Sequence, residues 1–108
     1  MEEREFMAAA DAELARIEAA LERALESGEV DFDFELKPGG IIEIECANGT
    51  KIIINRHGAA REIWLAAKSG GYHFRLDGGR WLDTRDGSEL LASVARALSG
   101  QSGTAVAL

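Results

Sequence analysis

The sequence predicts an α+β fold: a two-layer α-β sandwich with an N-terminal and a C-terminal helix packed on one face of an antiparallel β-sheet. Three observations carry this expectation. Apolar residues recur every three or four positions at both ends of the chain. Through the middle they alternate with polar residues, and short Gly-rich turns separate the alternating runs. Turns that short join antiparallel strands, because a parallel crossover needs about a dozen residues or more. At 108 residues the chain can build one two-layer core and not two, so residues 1–108 are read as a single domain.

The first helix is expected from Glu3 to Ser27, where Phe6, Ala10, Leu14, Ile17, Leu21 and Leu25 keep helical spacing. Alanines between them add helix propensity, and Gly28 supplies the stop. The period then changes to two. Val30, Phe32, Phe34 and Leu36 face one way and Glu29, Asp31, Asp33 and Glu35 the other, giving a half-buried strand with an all-acid outer face. Pro38-Gly39-Gly40 turns the chain into Ile42 to Cys46. Asn48-Gly49 predicts a type I′ hairpin turn, with Lys51 to Arg56 as the returning strand. Further strands are expected at Glu62–Lys68, Tyr72–Leu76 and Arg80–Asp83, divided by Gly70-Gly71 and Gly78-Gly79. Ser88 is expected to cap a second helix that buries Leu90, Leu91, Val94 and Leu98 and ends at Gly100. The tail, Gln101 to Leu108, carries no clear pattern.

Charge is distributed unevenly along this framework. Residues 1–35 hold twelve Asp or Glu against three Arg, whereas residues 36–108 hold seven against nine Lys or Arg. The whole excess behind the net charge of −7 therefore lies in the first third. Such a field repels nucleic acid and anionic lipid, so neither is an expected partner, and it attracts cations or a basic protein surface. No run approaches the roughly 18 apolar residues of a membrane span. The acidic start, Met1-Glu2-Glu3-Arg4-Glu5, is the opposite of a secretory or transit leader. With Cys46 as the one cysteine, no internal disulfide can form, and the expected compartment is the cytoplasm.

The acids have a geometry. At about 100° per residue, Asp11, Glu18, Glu22 and Glu26 fall within an arc of about 80°, a quarter-turn from the apolar centre of the helix. Arg16 and Arg23 lie a further quarter-turn away, which predicts an unneutralised stripe, although Arg4 projects along it. Glu18, Glu22 and Glu26 form a like-charge ladder that costs a few tenths of a kcal/mol per pair. A face kept only for solubility would alternate its signs. The strand acids extend the field, and on an edge strand charge also blocks sheet-to-sheet association. Helix and strand together, rather than the strand alone, favour a binding role. An all-oxygen donor set suits ferric iron, Mn²⁺, Ca²⁺ or Mg²⁺ and argues against zinc or copper selectivity. A line of carboxylates without a cage predicts weak binding of several ions.

Trp64 falls on the polar side of its strand, where a large aromatic is a common interface anchor. Lys51, Ile53 and Asn55 alternate onto the same side. Cys46 continues the inward set of Ile42 and Ile44 and reads as core, and Trp81 is expected to pack near the last hairpin. His57, placed in a loop, and His73 read as ordinary surface histidines. No EF-hand, HExxH or CxxC spacing is present, and nothing assembles a hydrolase or transferase site.

Two long segments carry a resemblance. Asn48-Gly49-Thr50-Lys51-Ile52-Ile53-Ile54-Asn55-Arg56 is followed by Ile63-Trp64-Leu65-Ala66-Ala67-Lys68-Ser69-Gly70-Gly71-Tyr72-His73-Phe74 and then by Trp81. With Glu5-Phe6 and Ala10-Asp11 in the first helix, these resemble the bacterial frataxin family over nearly the whole chain. The resemblance implies an α-β sandwich whose acidic ridge, from first helix and first strand, binds ferrous and ferric iron weakly, with no organic cofactor. It also implies docking on a cysteine desulfurase, the iron–sulfur scaffold protein as a further partner, and a monomer in the absence of iron. By position the ridge would be Glu2, Glu3, Asp11, Glu18, Glu22, Glu26, Glu29, Asp31 and Asp33. The partner-binding residues would be Glu18 and Glu22 on the ridge, with Asn55 and Trp64 on the sheet. Ala19 and Arg23 stand where the family commonly carries acids, so the ridge is thinner here. The leading expectation is a non-enzymatic, iron-binding regulator of iron–sulfur cluster assembly. A pure protein-interaction module and a ferroxidase are the alternatives, the latter disfavoured because no Glu-x-x-His di-iron pattern is visible.

Overall fold

The structure, a computed structural model, describes residues 1–28 and 30–108. Glu29, one of the expected ridge acids, lies outside the described residues. The element order is α1 (Glu3–Glu26), β1 (Phe32–Lys37), β2 (Ile41–Cys46), β3 (Lys51–His57), β4 (Glu62–Ala67), β5 (Gly70–Asp77), β6 (Arg80–Asp83) and α2 (Leu90–Ser102). The strands form one sheet in sequence order, every neighbouring pair antiparallel. Both helices bury their apolar stripes against one face of it, which is the expected two-layer sandwich.

At the sheet centre, Ile42 pairs with Ile54 and Ile44 with Ile52, all four at 1% exposure or less. Branched side chains suit this pleated surface, and each such burial is worth about 1.5–3 kcal/mol before entropy is counted. Phe6 on α1 meets Trp81 on β6 edge to face, with ring centroids 6.0 Å apart. Trp81 thus belongs to the core under α1 rather than to its own hairpin, since it alternates onto the helix side with Asp83. Cys46 is buried, as its phase predicted.

Four local expectations change. The β2–β3 connection is not a type I′ turn, because Asn48 keeps a negative φ and only Gly49 is left-handed, at φ 85°. Instead Cys46 accepts from the Gly49 N–H and donates to the Thr50 carbonyl, closing a three-residue loop with glycine at the left-handed position. β1 begins at Phe32, so Val30 and Asp31 precede it, and Leu36 is exposed at its far end. Glu89, not Ser88, occupies the N-cap of α2 and makes no side-chain cap bond, while the Ser88 N–H is taken by Asp86. α2 runs past Gly100 to Ser102 and ends on left-handed Gly103.

The extra turn of α2 has a tertiary cause. The Gln101 amide accepts from the Lys68 N–H (2.8 Å) and donates to the Thr50 hydroxyl (3.0 Å), clamping the helix to two hairpin turns. Beyond it, Ser99 exchanges hydrogen bonds with Val106, which folds the tail back so that Val106 is buried.

Candidate functional site

Along the flank of α1, Glu18 is half-buried and Glu22 and Glu26 are exposed, and among the described residues none has an ion-pair partner. Arg16 is turned away from them, as its helical angle requires, and bridges Glu13 (3.2 Å) and Glu89 (3.2 Å) between the two helices. Burial pushes the Glu13 carboxyl up, with Arg16 opposing and Glu89 adding to the rise. Asp11 departs from the expected unneutralised stripe. Arg56 of β3, 45 residues away, holds it at 2.6 Å. Single-helix geometry identified which of the helix's own arginines point elsewhere, but could not reveal a cation delivered from the sheet. Glu2 and Glu3 stand exposed at the start of α1, where negative charge complements the helix dipole.

The strand acids lie elsewhere. Phe32 faces the core, so Asp33 and Glu35 project from the opposite sheet face. There Asp33 sits opposite Glu45 and Glu35 opposite Glu43, two like-charge cross-strand pairs of a kind that costs stability. Lys37 (2.7 Å) and Lys51 (3.5 Å) both converge on Glu43. The Lys37 hydrogen bond is the main influence holding the Glu43 carboxyl below its usual range. Asp33, Glu35 and Glu45 keep no ion pair among the described residues.

The carboxylates therefore gather in two patches. One groove is lined by Asp11 and Glu18 with Leu36 and Lys37, and another by Asp33, Glu35, Glu43 and Glu45 with Lys51. Asp31 is exposed just ahead of β1. Glu43 and Glu45 were missed in the sequence, although the length of the Pro38-Gly39-Gly40 turn sets the register that puts them opposite Asp33 and Glu35. Among the described residues no three Asp, Glu, His or Cys side chains converge on one point where a metal could be held.

Trp64 does lie on the outer face, half-buried and paired in register with Asn55 on one side and His73 on the other. Its ring is sandwiched. His57 stacks on one neighbouring side at 3.7 Å and His73 at 4.5 Å, both within 11° of parallel. The two histidines are thus parts of this face rather than ordinary surface residues, and His57 ends β3 rather than sitting in a loop. The indole N–H donates to Glu62 (2.8 Å), and Arg75 bonds the other Glu62 oxygen (2.7 Å). Glu62 is only 5% exposed. Burial, the largest single influence, pushes its carboxyl up, yet the indole N–H, Arg75 and His73 together outweigh it and hold the group below its usual range. Sequence alternation put Glu62 on the polar face; its burial arises because Trp64, His73 and Arg75 close over it.

A family model described as a frataxin-like domain matches residues 1–104. An iron–sulfur cluster assembly protein CyaY from Dechloromonas aromatica is 52% identical over 108 residues, spanning 100% of this chain and 99% of that protein. One of the same description from Ralstonia nicotianae is 49% identical over 107 residues, covering 98% of this chain and 93% of that protein. Among solved structures, frataxin from Psychromonas ingrahamii superposes with a TM-score of 0.79 at 32% identity, covering 98% of this chain and 96% of that one. A trimeric yeast frataxin from Saccharomyces cerevisiae, complexed with ferrous iron, superposes at 0.68 and 30% identity, covering 92% and 88%. On the full-length sequence match and the shared sandwich, this chain belongs to the frataxin family.

Proposed function

We propose that the chain is a cytoplasmic, non-enzymatic regulator of iron–sulfur cluster assembly that carries iron weakly on its acidic surface and docks through it on a cysteine desulfurase. The observation that carries this is the ladder Glu18, Glu22 and Glu26, without an ion pair among the described residues and kept at a cost in helix stability. The assembly role and the iron are named for relatives of similar sequence and fold. Trp64, held at a fixed angle beside Asn55, supplies a rigid aromatic anchor for a second contact, such as the iron–sulfur scaffold protein.

A second reading has its own support. Because no trio of carboxylates converges among the described residues, long-range attraction of a basic protein needs less from this surface than metal coordination does. Replacing Glu18 and Glu22 with Lys separates the two. The proposal expects both iron binding and desulfurase binding to fall, by about ten-fold or more for docking. Loss of docking with iron binding intact leaves the interaction-only reading. Unchanged docking removes the ridge as the docking surface. Oxygen consumption on adding ferrous iron, against a protein-free control, addresses a ferroxidase and is expected to show no acceleration.

A further inference from the structure

On the helix side of the sheet, away from the acidic patches, α2 leaves a cleft of about 430 Å³ over β4, β5 and β6. The space has a sequence origin: Ser93, Ala97 and Gly100 line it, and their short or absent side chains leave the room between α2 and the strands unfilled. The floor is Leu65 beside its register partner Tyr72. Tyr72 is held in place, its hydroxyl 2.9 Å from that of Ser69 and its ring covered by Arg85 at 5.7 Å. The floor is therefore a preorganised apolar surface of the kind that small-molecule sites use.

Asp83 supplies the polar end. It is 7% exposed, and its Oδ1 accepts the Arg85 N–H at 2.7 Å. Among the described residues nothing bonds its second oxygen, and no sealed side-chain polar atom lacks a partner. That oxygen therefore opens onto the cleft, a carboxylate whose desolvation only one backbone donor offsets. Lys68 and Arg96 line the cleft as well, and neither side chain makes a hydrogen bond or ion pair among the described residues. Asp86, at the rim, accepts the Ser88 N–H at 2.9 Å and also feels the charges of Arg96 and Arg85, so Arg96 has a counter-charge at the rim but, among the described residues, no direct bond.

We propose that this cleft binds a small zwitterion with an apolar or aromatic side chain, of the α-amino acid type. Its ammonium group meets Asp83, its carboxylate meets Lys68 and Arg96, and its side chain lies on Leu65 and Tyr72. A simple anion would leave Asp83 facing nothing, and a simple cation would leave the Lys68 ammonium and the Arg96 guanidinium without a ligand group to meet. The site is independent of the ridge.

Amide NMR titration of the full chain with L-phenylalanine, 3-phenylpropionate and phenethylamine tests this. Saturable shifts are expected near residues 65–72, 83–86 and 93–101, with each single-charge ligand binding about ten-fold or more weakly. Asp83→Asn, which keeps an acceptor for the Arg85 N–H, should weaken phenylalanine and phenethylamine but spare phenylpropionate. Arg96→Gln should weaken phenylalanine and phenylpropionate but spare phenethylamine, and Ala97→Trp should abolish all three. Absence of saturation, shifts scattered over the surface, or equal binding of the three ligands overturns the proposal. If Asp83→Asn fails to fold, the exposed Arg96→Gln decides alone: no change in phenylalanine binding overturns it.

Discussion

Arg56 of β3 reaches across to Asp11 of α1, with Nη1 2.6 Å from Oδ1. The Arg56 side chain is 21% exposed and that of Asp11 56%, so the pair is open to water on the helix side and is worth at most about 1 kcal/mol. It pins the helix to the sheet and takes one acid out of the proposed iron-carrying ridge. Arg56→Gln should lower stability by at most about 1 kcal/mol while releasing Asp11. Ferrous affinity is then expected to rise about two- to five-fold at low salt, with the gain shrinking as ionic strength increases. Denaturant midpoints and iron titrations at two salt concentrations measure both effects. An unchanged affinity would take Asp11 off the ridge.

Gly40 offers an indirect route to the same pair. Its φ is +76°, and a Cβ there would lie 2.5–2.8 Å from three Arg56 side-chain atoms. Arg56 is flexible and would move, so Gly40→Ala should cost about 1–2 kcal/mol, mostly for the left-handed backbone. It should also raise iron affinity in the same direction as Arg56→Gln. A stability loss with no change in iron binding would show that Arg56 keeps Asp11 from its displaced position.

Glu62 gives the protein a stability term that acid removes. Its unfolded carboxyl titrates near 4.5 and its folded one lower, so the unfolded chain binds more protons across that window. The contribution is complete above 4.5 and lost as pH falls through the folded value. Glu13 runs the other way: its raised folded value makes a contribution complete below 4.5 and lost as pH rises. Glu62→Gln should therefore cost about 1–3 kcal/mol at neutral pH, a difference that narrows toward about pH 3. Chemical denaturation at both pH values checks it, and a constant difference would mean that the charge on Glu62 contributes nothing.

Gln101→Ala should loosen the β2–β3 and β4–β5 turns together. The side chain satisfies the Lys68 N–H and reaches both the Thr50 hydroxyl and the Lys51 carbonyl. Losing it should cost about 1–2 kcal/mol, since the groups left behind are open to water. Hydrogen exchange should quicken at Lys68 while the amides of Ile52 and Ile54 stay protected. Equal acceleration throughout would indicate global destabilisation instead.

The sequence by itself determined the element order, the antiparallel sheet and the faces of its strands. The spacing of Phe6 to Leu25, the alternation in Ile42 to Ile54 and the glycine turns all act within a few residues, where local sterics and burial decide. It also determined that Glu18, Glu22 and Glu26 share one flank, because a helix has one geometry. Only the tertiary structure decided how those charges are met. Arg56 reaches Asp11 because α1 packs on the sheet, and Glu43 and Glu45 join Asp33 and Glu35 through hairpin register. The burial of Glu62 beneath Trp64, His73 and Arg75 likewise depends on two neighbouring strands. A residue's own phase says which face it occupies, but a charge's strength depends on what other elements bring within a few ångströms of it, and that distance exists only in the folded chain.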